Sequence, residues 1–597
     1  MILPFMSSQN KTQQTDIQSF GGVNPTYSRR TNELVLARNM SSHMYPALSS
    51  KARLSPQSAP GLNINTGEIS DRLYLVLYPK NTESGNMYIY TSGGADPFAE
   101  FSSLTEAQIE RKIVFMGNKL FILPDNVVYD PEQRTVEQCN ITQSITHEWN
   151  NEKYRTESLT SDEQCPNYLT RWFTATLSSN SINSVSANYS VSGTKYKFYH
   201  MAADSDFKVG DYVHVSMTVV PNNATQDSAY FEYRSKMSQG SIMRIRGFTT
   251  VTHDTPSGII TERTGIVFDD NAVDTGGYGE VFVQEITITK ASPDLVDACS
   301  HENRIWGVTK DTICTSKLGD MCEWNDFSVD SYGSLPSSCF KTGVPSGGNF
   351  TAITQYNGRV IAFKEKCMHI VYGSQPSDYR ISTVQCDGVR SGAAGSIEVI
   401  DGIMYYVGVG GVYVYSGGIP KLISRGLGIE KYDIKNCGSD GRCYYILAES
   451  ENENVIYVYD TYAKVWHIHD SPSDLRHFAS GSTQMLLLCK NAIYSYDADT
   501  VVSPGNWNFE YSFWTKEFES RHVRGVDVMF SLETGGKLDI YLENIHGRKK
   551  IAHIDGKKTD EPTYLALPVS CDHKAKLIFS GSGKFTLSSL SVKFIVN

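Results

Sequence analysis

One pattern constrains this chain more than any other. Two short apolar runs joined by a turn, the second ending in an aromatic residue followed by Asp, Gly or Ser, return along most of its length. Clear copies are GRVIAFKEKCMHIVYGS at 358–374, GIMYYVGVGGVYVYSGG at 402–418, GRCYYILAESENENVIYVYD at 441–460 and TQMLLLCKNAIYSYD at 483–497. Earlier ones are DRLYLVLYPKNTESGNMYIYTS at 71–92, RKIVFMGNKLFILPDNVVYD at 111–130 and NRIWGVTKDTICTSKLGDMCEW at 303–324. Each reads as a β-hairpin bracketed by turn residues. Where copies are consecutive, the closing aromatics Tyr90 and Tyr129, then Tyr372, Tyr415, Tyr459 and Tyr496, recur at roughly 40 residues, the period of a propeller blade. One small twisted sheet cannot bury both faces, whereas radial packing gives each sheet two neighbours and leaves only short edges. The spacing therefore predicts an all-β chain with a β-propeller of about six or seven blades.

Composition agrees with strands and turns. Of 597 residues only 20% are charged, while there are 35 Tyr and 47 Gly. Long helical or coiled-coil chains are richer in Ala, Glu and Lys, and disordered chains are poorer in aromatics, so both classes are excluded. The formal charge of −11 leaves no dominant basic footprint for gripping phosphates. No long apolar run exists and the first ten residues lack the layout of a signal peptide, so the expectation is a soluble chain with no membrane span, not exported by a cleaved signal. Twelve cysteines are scattered without a Cys-x-x-Cys pair, and most are expected to be reduced core residues.

The repeat also sets the domain organisation. Residues 1–60, rich in Ser, Asn, Gln and Pro with one apolar stretch at Leu34–Ala37, read as an N-terminal docking arm, and 61–140 as the first propeller blades. Residues 141–294 carry strand signals of their own and read as an inserted β domain. Residues 295–505 read as the remaining blades, and 506–597 as a C-terminal antiparallel β-sandwich.

Motifs that would carry chemistry fall short. SGSGK at 580–584 has Ile578 where a phosphate loop needs Gly and Phe585 where it needs Ser or Thr, so it reads as a turn between strands. Residues 269–280 begin and end like a calcium loop, but Val273 and Asp274 stand where a ligand and the turn glycine belong. His467 and His469 alternate onto one strand face without a third ligand at a suitable spacing, and read as packing residues. The glycines of 407–418 are flanked by strand sequence and lack the helix that dinucleotide binding needs. HGRKKIAHIDGKK at 546–558 gathers Arg548, Lys549, Lys550, Lys557 and Lys558 on a hairpin and reads as a solvated turn. The Asn-x-Ser/Thr triplets at Asn10, Asn39, Asn140, Asn188, Asn223 and Asn349 occur as a Ser/Thr-rich chain produces by chance. No catalytic, cofactor-binding or metal-binding residue is singled out, no cofactor is expected, and the chain reads as not an enzyme.

Three segments carry a family resemblance. IQSFGGVNPTYSRRTNELVLARNMSSHMYPALSSKARL at 17–54, HENRIWGVTKDTICTSKLGDMCEWNDF at 301–327 and FWTKEFESRHVRGVDVMFSLETGGKLDIYLEN at 513–544 resemble the β-propeller tail proteins of tailed bacteriophages, described as tail hub, nozzle, tail tubular protein B or packaged-DNA stabilisation protein. The resemblance implies a structural virion protein of the tail, made in the host cytoplasm. Its copies would form a ring, by analogy a hexamer, beside neighbouring tail, adaptor and fibre proteins. DNA would pass through the channel without sequence-specific binding, and a negative lumen lets it slide. The insertion at 141–294 has no counterpart in the family. Two other readings stay open: a propeller enzyme acting on glycans, and a kelch-like interaction module, whose Tyr-Asp and Trp rhythm YVYDTYAKVW at 457–466 matches.

Overall fold

The computed structural model describes residues 12–57, 112–146, 207–220, 238–255, 258–268, 282–328, 337–480, 485–489, 493–497, 505–557 and 562–595, apart from a few single positions, together with short strands at 63–64, 74–78, 87–91, 99–101, 173–176, 185–186 and 195–200. The chain is all-β. Regular structure among the described residues is strand, relieved by short helical turns such as Ile429–Lys431.

Among the described residues, six free-standing four-stranded antiparallel sheets recur. They begin at Asn63, Lys112, Asp297, Phe350 and Glu398, and the sixth joins Leu475–Ser480, Met485–Cys489 and Ile493–Asp497 to Arg53–Gln57. A seventh four-strand meander, Asp433–Ser439, Cys443–Glu449, Asn454–Asp460 and Val465–Asp470, forms one side of a nine-stranded sheet. Local chemistry sets the hairpins. Asn357-Gly358 joins Tyr356 to its partner Arg359 with φ of 49° and 68°, and Asp401-Gly402 joins Ile400 to Ile403 with φ of 50° and 73°. Two successive left-handed residues make the turn whose twist matches paired strands, which is why Asn or Asp followed by Gly stands there. Middle strands are covered on both faces: Arg359–Lys364 is buried after its first residue and Cys367–Tyr372 up to its last. The outer strand Arg380–Gln385 has no buried residue.

The chain divides into two compact units. The first comprises Met1–Ile113, Gly347–Ile370 and Ser382–Asn597. In it, the arm is woven into sheets of its own chain. Leu36–Arg38 pairs parallel with Val465–Asp470 and antiparallel with Asn506–Ser512, splicing the seventh meander to the C-terminal strands. Thr12–Ile17 pairs with Phe585–Ile595, as does Leu48–Ser50. Arg53–Gln57 is the outermost strand of the sixth sheet, where Pro56, lacking an amide hydrogen, is tolerated and discourages further pairing. Leu34 and Ala37 are fully buried in a cluster that also holds Tyr405, Tyr406, Tyr444, Tyr457 and Tyr459. The C-terminal strands fall in the nine-stranded sheet and a seven-stranded one. Trp507 and Phe509 of the first stand 4.3 and 5.9 Å from Phe585 of the second, ring to ring.

The second unit comprises Val114–Ser346 and Val371–Ile381. Strands from Ile141 to Lys290 build an eight-stranded sheet. Cys139 and Cys322, on either side of that stretch and 183 residues apart in sequence, form a disulfide with Cα atoms 4.5 Å apart. This pair is the exception to the expectation of mostly reduced cysteines, since the other described ones form no disulfide. Phe121, Trp324, Ile305 and Cys314 pack with it, so the sheets before and after the long insertion share one core.

Candidate functional site

A polar cavity of about 370 Å³ opens in the second unit. The Gly117-Asn118 turn and Lys119 form one wall, Lys208 and Asp211 of the loop leading into the eight-stranded sheet with Lys290 of that sheet another, and Gly319–Cys322 a third. Lys290 Nζ lies 2.7 Å from Asp211 Oδ1, with side chains only 3% and 7% exposed. Lys208 Nζ donates to Glu137 Oε1 at 2.5 Å, and its backbone amide donates to Asp211 Oδ2 at 2.7 Å. Asp320 Oδ1 accepts the amides of Cys322 and Glu323 at 2.9 and 3.2 Å. Next to the cavity, buried Glu323 accepts the amides of Tyr212 at 3.0 Å and Asn325 at 2.8 Å. Burial dominates those bonds, and with Asp211 near it pushes the Glu323 carboxyl up to about 7. Each lining carboxylate thus has a lysine or turn amides as its partner. Two uncommitted carboxylates facing across a cleft, as glycoside hydrolysis requires, are not formed by Glu137, Asp211 and Asp320. The arrangement fastens the insertion sheet to the loop after Thr315.

A second polar concentration lies in the first unit, where the arm crosses the seventh meander. Asp460, fully buried, accepts from Arg442 at 2.7 and 3.0 Å and from Ser42 Oγ at 2.6 Å. Burial alone would raise its carboxyl, but the bonds from Arg442 and Ser42 win and hold it below the usual aspartate range. Arg442 also donates to the Ser42 carbonyl at 2.9 Å, and Asn39 donates to Asp470 at 2.6 Å. His469 Nε2 is 2.8 Å from the Met40 carbonyl. His467 is 1% exposed and neither ring nitrogen has a hydrogen-bond partner. Burial pushes it down to about 4, so both histidines are neutral in the fold. Beside this seam the ligand atoms of His43, Asp440 and Cys443 lie within 4.8 Å of one another. Nothing in the sequence pointed to that trio, because His43 is some 400 residues from its neighbours and only the turn Asp440-x-x-Cys443 is local.

The motifs weighed in the sequence have these places. Residues 580–582 end the strand Lys576–Ser582, Gly583 turns with φ of 92°, and the next strand starts at Phe585. Residues 403–415 are a hairpin, with Gly408 opposite Gly411. Arg548, Lys549 and Lys550 are exposed on the hairpin of Lys537–Asn544 and Gly547–Asp555, where Arg548 lies over the Tyr541 ring at 4.1 Å and Lys550 pairs with Asp539 at 2.6 Å. The 269–280 loop lies outside the described residues. No described helix is long and apolar enough to cross a membrane.

These features define an all-β chain of many antiparallel sheets, carrying polar seams in both of its units. No family model matches the chain, and no curated protein matches it. Solved structures that match include an exo-β-1,3-galactanase of Phanerochaete chrysosporium, at 8% identity and a TM-score of 0.17 over 49% of this chain and 96% of that one. An arabinoxylan arabinofuranohydrolase of Bacillus subtilis matches at 9% identity and a TM-score of 0.16, over 89% and 95%. Glutaminyl cyclase of Myxococcus xanthus matches at 9% identity and a TM-score of 0.19, over 34% and 88%. All three are enzymes, which corrects the expectation that this chain is not one; that expectation is withdrawn. TM-scores this low carry no argument for any particular activity.

Proposed function

We propose that the chain is a β-propeller scaffold of the tail-hub or nozzle type, a structural part of a tailed-phage virion assembled as a ring around the DNA path. The observation that carries the reading is the amino-terminal strand Arg53–Gln57 completing the last four-stranded sheet, with Leu36–Arg38 splicing the preceding meander to the C-terminal strands. Propellers close their circle by mixing early and late strands in this way. The recurring four-stranded meanders, six free-standing and one within a larger sheet, support a propeller of about six or seven blades. Middle strands covered on both faces beside an exposed outer strand suit the same architecture. In this reading the C-terminal sheets are a β-sandwich, the ring is a hexamer, and the insertion faces adaptor or fibre proteins.

Mass spectrometry of purified virions from the phage or prophage carrying the gene tests this, with peptides of the chain expected in the tail fraction and a ring expected by electron microscopy. Absence from virions, or release of sugars when the purified chain meets a panel of plant and bacterial polysaccharides, would replace the scaffold by the second reading, a propeller acting on glycans, the substrate class of two of the matched structures.

A further inference from the structure

We propose that His43, Asp440 and Cys443 form a zinc-class metal site that clasps the amino-terminal arm to the meander of residues 433–470. A His nitrogen, a carboxylate oxygen and a thiol sulfur lie within 4.8 Å of one another. Ligands around a tetrahedral zinc, at about 2.0–2.3 Å from it, stand roughly 3.5 Å apart, so a small movement of the exposed His43 ring closes the set. One imidazole, one carboxylate and one sulfur make a borderline-soft donor set, which favours zinc over magnesium or calcium.

The supports of the trio are those a metal site needs. Asp440 Oδ1 accepts the amides of Arg442 and Cys443 at 2.9 and 2.7 Å, and Oδ2 accepts the Tyr445 hydroxyl at 2.8 Å. A carboxylate offers about four acceptor sites, so these three bonds fix its direction and leave a lone pair for a cation. The arm is held immediately before His43: Ser42 donates to Asp460, Arg442 donates to the Ser42 carbonyl, and the His43 amide donates to Ser41 Oγ at 3.2 Å. Among the described residues none hydrogen-bonds the His43 ring, so it is delivered to the site uncommitted. The nearby guanidinium of Arg442 is paired with Asp460 at 2.7 Å. A divalent cation binds Cys443 as thiolate, with its proton released to solvent. With three protein ligands, the fourth position goes to water.

The test uses the full-length chain stripped with EDTA and titrated with cobalt(II), then zinc. The expected result is one cobalt per chain with a thiolate-to-cobalt absorption band, displaced by zinc, and slower amide exchange over residues 39–57 when zinc is present. His43→Ala, at an exposed position that leaves the fold intact, should weaken binding at least tenfold, and Cys443→Ser should abolish the band, while Cys299→Ser leaves it unchanged. Absence of the band in the folded chain, or a band that persists in both His43→Ala and Cys443→Ser, overturns the proposal.

Discussion

At the scale of single residues, the seam between arm and meander puts two opposite kinds of buried polar group side by side. His467 has no partner to lose, so His467→Leu removes a desolvated ring without orphaning anything. Its folded pKa, lowered to about 4, lies below the ordinary value near 6.5, so the unfolded chain binds a proton first and stability falls as pH drops through that window. The loss amounts to at most about 1.4 kcal/mol per pH unit for this one group. We expect the variant to equal the parent at pH 7 and to exceed it at pH 5, measured by urea midpoints. Asp460 is the reverse case: its lowered pKa means its contribution is present above about pH 4 and is lost as pH falls further. Asp460→Asn should cost about 2 kcal/mol at pH 7, less than a wholly buried pair because Arg442 is 32% exposed, and the gap to the parent should shrink below pH 4.

At the scale of elements, what was legible in the sequence was what is local. Hairpins could be read because both strands and their turn sit within some twenty residues, and closing aromatics such as Tyr129, Tyr415 and Tyr459 are indeed buried. Tyr372, chosen by the same rule, is 37% exposed, since it ends its strand where burial stops. The three-residue strand Leu36–Arg38 has no periodicity to read, and its partners lie more than 400 residues away. The Cys139–Cys322 bond was hidden for the same reason, as was the approach of His43 to Asp440 and Cys443. Such long-range links should matter most to stability. Closing a loop of 183 residues is worth up to about 5 kcal/mol, so Cys139→Ser with Cys322→Ser should speed amide exchange in 112–138 and 297–343. Removal of residues 1–57 should strip exchange protection from Ile493–Asp497, which would lose its outer neighbour, while leaving the hairpin of Ile403–Tyr415 protected.

At the scale of the whole molecule, the charge of −11 predicts that the chain is not retained by duplex DNA at physiological salt, measured by gel shift, whether or not it encircles DNA in a tail. Strand order carries a further consequence, one of timing. Arg53–Gln57 leaves the ribosome early, yet its partner Ile493–Asp497 comes roughly 440 residues later, so at about 5–20 residues per second the strand waits on the order of a minute without its mate. Thr12–Ile17 waits longer still, for its partner Phe585–Ile595. A polypeptide cut short anywhere in between keeps these edges open to chaperones and proteases, so pairing across so long a separation makes survival depend on reaching the distant partner strand.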